Sequence, residues 1–132
     1  MKPIVSIITP TWKRFDLVVE TIKHIKEQTY PNIEHIVVSD GFDFLLKEIV
    51  QKHNVKYIGL SRNWSTYLDN SFGIAPITAG ILEASGEYFT VWCDDERATT
   101  PEHISKLVAL LETANVDFVY PKVKLWFNPA FS

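Results

Sequence analysis

Two runs of β-branched residues stand a helix-length apart, Ile4–Thr9 (Ile-Val-Ser-Ile-Ile-Thr) and Ile33–Ser39 (Ile-Glu-His-Ile-Val-Val-Ser), and no tight turn can join them. The first is nearly continuous in apolar residues, as in a strand covered on both faces, and Pro10 stops it. Between Phe15 and Gln28, Val18, Ile22 and Ile25 recur at helical spacing, with Glu20, Lys23, Lys26 and Glu27 on the other side, until Tyr30-Pro31-Asn32 closes the segment. A strand, a crossover helix and a second strand make a parallel pair.

The same alternation continues along the chain. Asp40-Gly41 marks a turn, and Asp43 caps a helix through Lys52 whose Phe44, Leu45, Leu46 and Ile49 are expected to face inward. Val55–Leu60 reads as a third strand, and Ser61–Gly73, rich in Ser, Asn and aromatics, as a surface loop. A helix over Ala75–Ser85, weakened by Pro76 and Gly80, ends at Gly86. Tyr88–Trp92 is predicted as a buried fourth strand. Thr100-Pro101-Glu102 then opens a helix with an Ile104, Leu107, Val108, Leu111 stripe, and Asp117–Tyr120 is predicted as a fifth strand. The fold class is α/β, a mainly parallel open sheet with helices on both faces. At 132 residues the chain suffices for one domain, taken as residues 1–120. Residues 121–132 form a tail carrying Trp126, Phe127 and Phe131 that needs something to pack against, so a longer protein is expected.

The fourth strand runs directly into three acids, Asp94, Asp95 and Glu96. Neighbouring carboxylates repel, and the crevice beyond the carboxyl ends of a parallel sheet is where ligands bind. A divalent cation, Mn2+ or Mg2+, held by Asp94, Asp95 and Glu96 against substrate phosphates relieves that repulsion; a solvated turn is the alternative. No Gly-x-Gly-x-x-Gly or Gly-x-x-x-x-Gly-Lys-Ser/Thr is present, so phosphates are not cradled by a glycine-rich loop. Asp40 shares the triplet's edge of the sheet, as does Pro10-Thr11-Trp12. Its carboxylate can accept the imide proton of uracil or thymine while Trp12 offers a flat face, the alternatives being an Asx-turn and a packing tryptophan. The single Cys93 reads as a small residue at a strand end, and His24, His35, His53 and His103 show no paired ligand spacing for zinc.

Val5-Ser-Ile-Ile-Thr-Pro-Thr-Trp-Lys-Arg14, Gln28-Thr-Tyr-Pro-Asn-Ile-Glu-His-Ile-Val-Val-Ser-Asp-Gly41, Gly86-Glu-Tyr88 and Asp94-Asp-Glu96 with Pro101 together resemble the donor half of family 2 inverting glycosyltransferases of GT-A fold. The resemblance implies transfer of a sugar from a nucleotide diphosphate donor, usually a uridine diphosphate sugar, to an acceptor hydroxyl on a glycan, a lipid-linked sugar or another molecule. It places Pro10 and Trp12 along the base pocket, Asp40 on the base, Asp94 and Asp95 at the nucleotide, and the triplet in the role of Asp-x-Asp. The general base lies in the family's acceptor half, and Asp69 and Glu83 are in range by sequence only. The chain departs from the family pattern in several places: Lys13 replaces a frequent Asn, Ser39 and Phe42 stand where an Asp and a Ser are frequent, the third acid is the longer Glu96, and the stretch from Ser71 to Ile81 lacks the family's basic residue, for which Arg62 or Arg97 could substitute. A non-catalytic nucleotide-binding or interaction module of the same fold is the alternative.

Charge narrows the classes further. Thirteen basic against sixteen acidic residues give −3, no footprint for nucleic acid. One cysteine and no run of transmembrane length point to a cytoplasmic protein, which leaves room for peripheral association with a membrane.

Overall fold

The computed structural model describes residues 2–67 and 73–125. In chain order the elements are β1 (Val5–Thr11), α1 (Phe15–Lys26), β2 (Ile33–Ser39), α2 (Phe44–Lys52), β3 (Lys56–Gly59), α3 (Trp64–Tyr67), α4 (Ile74–Glu83), β4 (Tyr88–Val91) and α5 (His103–Ala114). The strands form one parallel sheet in the order β3-β2-β1-β4. Ile7 and Ile8 point to opposite faces and both are fully buried, so β1 is covered on two sides as its β-branched run demands.

Three helices cover one face and one covers the other. Val18 and Ile22 of α1 and Leu46 and Val50 of α2 pack with Val37 of β2. Val5, Ile7 and Trp92 pack with Ile25 of α1 and Ile104 and Val108 of α5. On the opposite face Ile8, Ile36 and Val38 meet Ala79 and Ala84 at α4. Gly80 lets α4 lie this close, since a Cβ there would come within 2.4 Å of Ile8 Cγ2.

Strands β1 to β3 step outward in one direction, and the chain then recrosses over α4 to set β4 on the far side of β1. That reversal makes β1 and β4 the switch point of the sheet, and open parallel sheets take their ligands outside the carboxyl ends at such a point.

Six expectations are corrected. Pro10 does not stop β1, which runs on to Thr11 with Pro10 paired opposite Val38. The stretch read as a surface loop, Ser61–Gly73, holds the short helix α3 among its described residues. Asp117–Tyr120 is not a strand, and the described residues hold four strands rather than five. Phe118 and Tyr120 lie 73% and 81% exposed, and Asp117, Phe118 and Val119 border a hollow of about 330 Å³ against Tyr88 and Ile104 instead of pairing with β4. β4 is therefore an edge strand among the described residues, with Phe89 56% exposed, not a fully buried one. In α2 the inward residues are Leu46 and Val50, while Phe44 and Leu45 are exposed, because Asp43 caps at Leu46 N (3.1 Å) and so sets the helical phase. Helix α5 starts at His103, not at Pro101: the Gln28 side chain accepts from Ile104 N (3.1 Å) and donates to Thr100 O (3.2 Å), replacing a local cap. Of the tail, residues 121–125 are exposed without regular structure; Trp126, Phe127 and Phe131, like Asp69, lie outside the described residues.

Candidate functional site

The site is built around the last residue of β1. Thr11 is buried, its carbonyl accepts from Asp40 N (2.9 Å), and its hydroxyl donates to Asp94 Oδ2 (2.7 Å). The two acids singled out in the sequence thus share one rim of the sheet, joined through one side chain and its own backbone. Pro10, one residue earlier and opposite Val38 of β2, faces Gly73 at the start of α4.

Trp12 leaves the strand half in solvent and lays its ring on Gly41, where a Cβ would sit 2.7 Å from Trp12 Cζ3 and φ is +125°. Only glycine meets both demands. The Lys13 ammonium lies 4.9 Å from the centre of the Trp12 ring, and Lys13 adopts a left-handed φ of 52°. Asparagine enters that conformation more readily than lysine, so Lys13 sits at some backbone cost. Trp12 forms one wall of an open cleft of about 600 Å³, with Arg62, Asn63, Thr66 and Tyr67 as the other. Arg62 rests on the rings of Trp64 and Tyr67, 5.3 and 4.7 Å from their centres.

Asp40 holds that second wall in place. Its Oδ1 accepts from Trp64 N (2.8 Å), and Oδ2 from Ser65 N (3.0 Å) and the Ser65 hydroxyl, so the carboxylate caps α3 from across the turn. Three of the roughly four lone-pair sites of a carboxylate are engaged.

The acid turn after β4 is pinned from several sides. Asp94 is 3% exposed; beyond Thr11, the Arg14 guanidinium reaches its Oδ1 at 3.1 Å and Asp95 Oδ2 at 3.7 Å. The Asp94 carbonyl accepts from the Thr21 hydroxyl (3.0 Å) and from Arg97 (3.1 Å), and Arg97 also bonds Glu20, Glu96 O and Thr21. Trp92 Nε1 donates to Glu96 O (3.1 Å), and the Glu96 carboxylate accepts from Cys93 N (3.1 Å).

Asp94 therefore points inward, whereas Asp95 and Glu96 are exposed. Among the described residues no three His, Cys, Asp or Glu side chains are gathered as an ion-binding group. The two outward carboxylates are hard oxygen donors of the kind Mg2+ and Mn2+ accept, and such ions commonly take one or two carboxylates and complete their shell with phosphate and water. In that mode the donor set fits.

Burial first, then the neighbouring Glu96, Asp95 and Asp94, push the Cys93 thiol up to about 11, so it stays protonated and is no nucleophile near neutrality. Glu83 pairs with Lys56 (3.3 Å) at the start of β3, the opposite edge of the sheet. Arg97 is consumed in holding the acid turn. Arg14 and Thr11 are the residues that sequence reasoning overlooked: both fall inside the resembling segment, yet nothing in local spacing ties them to acids some eighty positions away.

A chain and sheet of this kind recur in known proteins. At 31% identity over 123 residues, the chain matches the uncharacterized glycosyltransferase YwdF of Bacillus subtilis, covering 92% of this chain and 42% of that protein. Glycosyltransferase GlyG of Streptococcus pneumoniae is 31% identical over 102 residues, 73% of this chain and 31% of its own length. The chain thus spans well under half of these relatives. Among solved structures, the mannosyltransferase PcManGT of Pyrobaculum calidifontis in complex with GDP-Man and Mn2+ superposes with a TM-score of 0.70 at 18% identity, over 84% of this chain and 33% of that one. Residues 1–349 of S. aureus TarS in complex with UDP give a TM-score of 0.68 at 23% identity, over 83% of this chain and 32% of that one. These likenesses confirm the α/β GT-A fold. The family model described as glycosyl transferase family 2 matches residues 6–130, nearly the whole chain, and the chain belongs to that family.

Proposed function

We propose that residues 1–120 are the donor-binding part of a glycosyltransferase that moves a sugar from a nucleoside diphosphate, uridine diphosphate foremost, to an acceptor hydroxyl with inversion. The observation that carries this is the rim itself: Asp40 and Asp94 joined through Thr11, beside the cleft walled by Trp12 and Arg62. The nucleotide-bearing relatives of the same fold support it, one holding GDP-Man with Mn2+ and another UDP.

In this proposal the base enters the cleft and stacks on Trp12, with Pro10 beneath it, and its imide proton takes the last lone-pair site of Asp40. Asp95 and Glu96 hold Mn2+ or Mg2+, and Asp94, fixed by Thr11, aligns them. When bound, the ion supplies positive charge to the departing diphosphate. The acceptor, a glycan, a lipid-linked sugar or another hydroxyl compound, and the base that deprotonates it belong to parts of the enzyme beyond residues 1–120. No helix among the described residues is long and apolar enough to cross a membrane, and the assignment to the cytoplasm, with room for peripheral attachment to a membrane, stays part of the proposal.

Titration calorimetry with UDP and with GDP, each with and without Mn2+, tests this reading. UDP is expected to bind more tightly than GDP, and Mn2+ to strengthen it. Asp95→Asn combined with Glu96→Gln alters two exposed carboxylates, so the thermal midpoint should hold while the manganese-dependent gain falls by about tenfold or more. An unaltered gain removes the ion from this turn.

A further inference from the structure

Arg14 is a positive charge that donor binding, as described so far, does not use. It precedes α1, its side chain is 53% exposed, and its guanidinium still lies 3.1 Å from Asp94 and 3.7 Å from Asp95. Among the described residues no other cation pairs with a carboxylate of the acidic triplet: Arg97 is tied to Glu20 and to main-chain carbonyls, Lys13 lies on Trp12, and Arg62 on Trp64 and Tyr67.

The two partners differ in freedom. Asp94 is buried and held by Thr11, and its backbone is bonded by Thr21 and Arg97, so the acid is fixed. The arginine, half in solvent on a long side chain, is the member able to move. A guanidinium and a divalent ion that share the Asp95 carboxylate repel each other across a few ångströms, so occupation of Asp95 by one disfavours the other. Residues 71–81 contain no lysine or arginine to meet a diphosphate, whereas a guanidinium's planar fork suits phosphate oxygens.

Building on the donor reading, we infer that Arg14 is an exchangeable counter-ion. It neutralises Asp94 and Asp95 while no divalent ion is there, keeps Asp94 but gives up Asp95 when an ion binds to Asp95 and Glu96, and turns the freed N–H groups to an oxygen of the donor's diphosphate. The resting site thereby avoids the repulsion of unpaired acids, and charge reaches the phosphates only once the metal is in place.

The test compares wild type, Arg14→Gln and Arg14→Lys in three measurements: Mn2+ binding alone by electron paramagnetic resonance, then UDP and UMP binding at saturating Mn2+ by calorimetry. Arg14→Gln is expected to bind Mn2+ alone several-fold more tightly, because its competitor is gone. It should bind UDP about tenfold more weakly, as expected for loss of one charge-assisted hydrogen bond, with UMP little changed. Arg14→Lys should fall between. The opposite signs are diagnostic, since an arginine that merely braced the turn would weaken both ligands and lower the thermal midpoint together. Manganese affinity that is unchanged or weaker in Arg14→Gln, or undiminished UDP affinity, overturns the inference while leaving the donor reading standing. Wild type that binds no UDP at all removes both.

Discussion

At the scale of single residues, Thr11 and Asp94 show how a buried charge is made tolerable. A carboxylate 3% exposed needs hydrogen bonds as well as a counter-charge, and it has one of each, from Thr11 and Arg14. Thr11→Val keeps the shape and β-branching of the side chain but deletes the hydroxyl, so about 1–3 kcal/mol of stability should be lost in urea unfolding. No loss would mean that water replaces the hydroxyl. The position of the triplet at a strand end was legible in the sequence, but the different settings of its three acids were not. Three adjacent acids read alike in one dimension, and only the fold turns one inward to partners 83 and 80 positions away while leaving two outside. Asp40 is a similar case: its place on the rim followed from the strand end, whereas its bonds to Trp64 and Ser65 go to the single-turn helix α3, which lies in a stretch with no regular pattern to read.

At the scale of elements, periodicity located β1, α1 and β2 because each has a continuous pattern, although Pro10 falls inside β1 rather than ending it. It failed where contacts from elsewhere decide the outcome, as at the start of α5, where Gln28 does the capping, and at Asp117–Tyr120, which border a hollow beside β4 without pairing with it. Gly80 illustrates the reversal of a local inference. By propensity alone it weakens α4 by about 1 kcal/mol relative to alanine, yet the helix meets β1 through it. Gly80→Ala should therefore destabilise, by about 1–3 kcal/mol in chemical denaturation, as the new methyl forces α4 off Ile8. Stabilisation would show that the interface yields freely.

At the scale of the whole molecule, the alternation of strands and helices was enough to give a parallel α/β sheet, and hence to put every strand's carboxyl end on one side. How the helices divide between the faces followed only from the chain recrossing to β4. His35 on β2 is a partly buried, pH-sensitive group: its Nε2 contacts the Thr9 hydroxyl (2.8 Å), its Nδ1 is buried without a partner among the described residues, and burial, aided by Lys26, pushes its pKa from 6.5 down to about 3. Between those values the unfolded chain binds the proton and the folded one does not. Stability is therefore full above about pH 6.5 and falls as acid is added, by up to about 1.4 kcal/mol per pH unit. His103, also lowered chiefly by burial, acts in the same direction. Urea midpoints should drop between pH 7.5 and pH 5, and His35→Leu should flatten that slope; a slope left intact would assign the effect elsewhere.

The rim's span is inherited from strand registry. Thr11 stands opposite Ser39, so the hydroxyl that reaches one loop and the carbonyl that reaches the next are spaced by the pleat of the most enclosed strand. A slip of one position would swing that hydroxyl to the α4 side and part the two loops. Substitutions can thus accumulate in either loop without widening the gap between them, provided β1 stays in step.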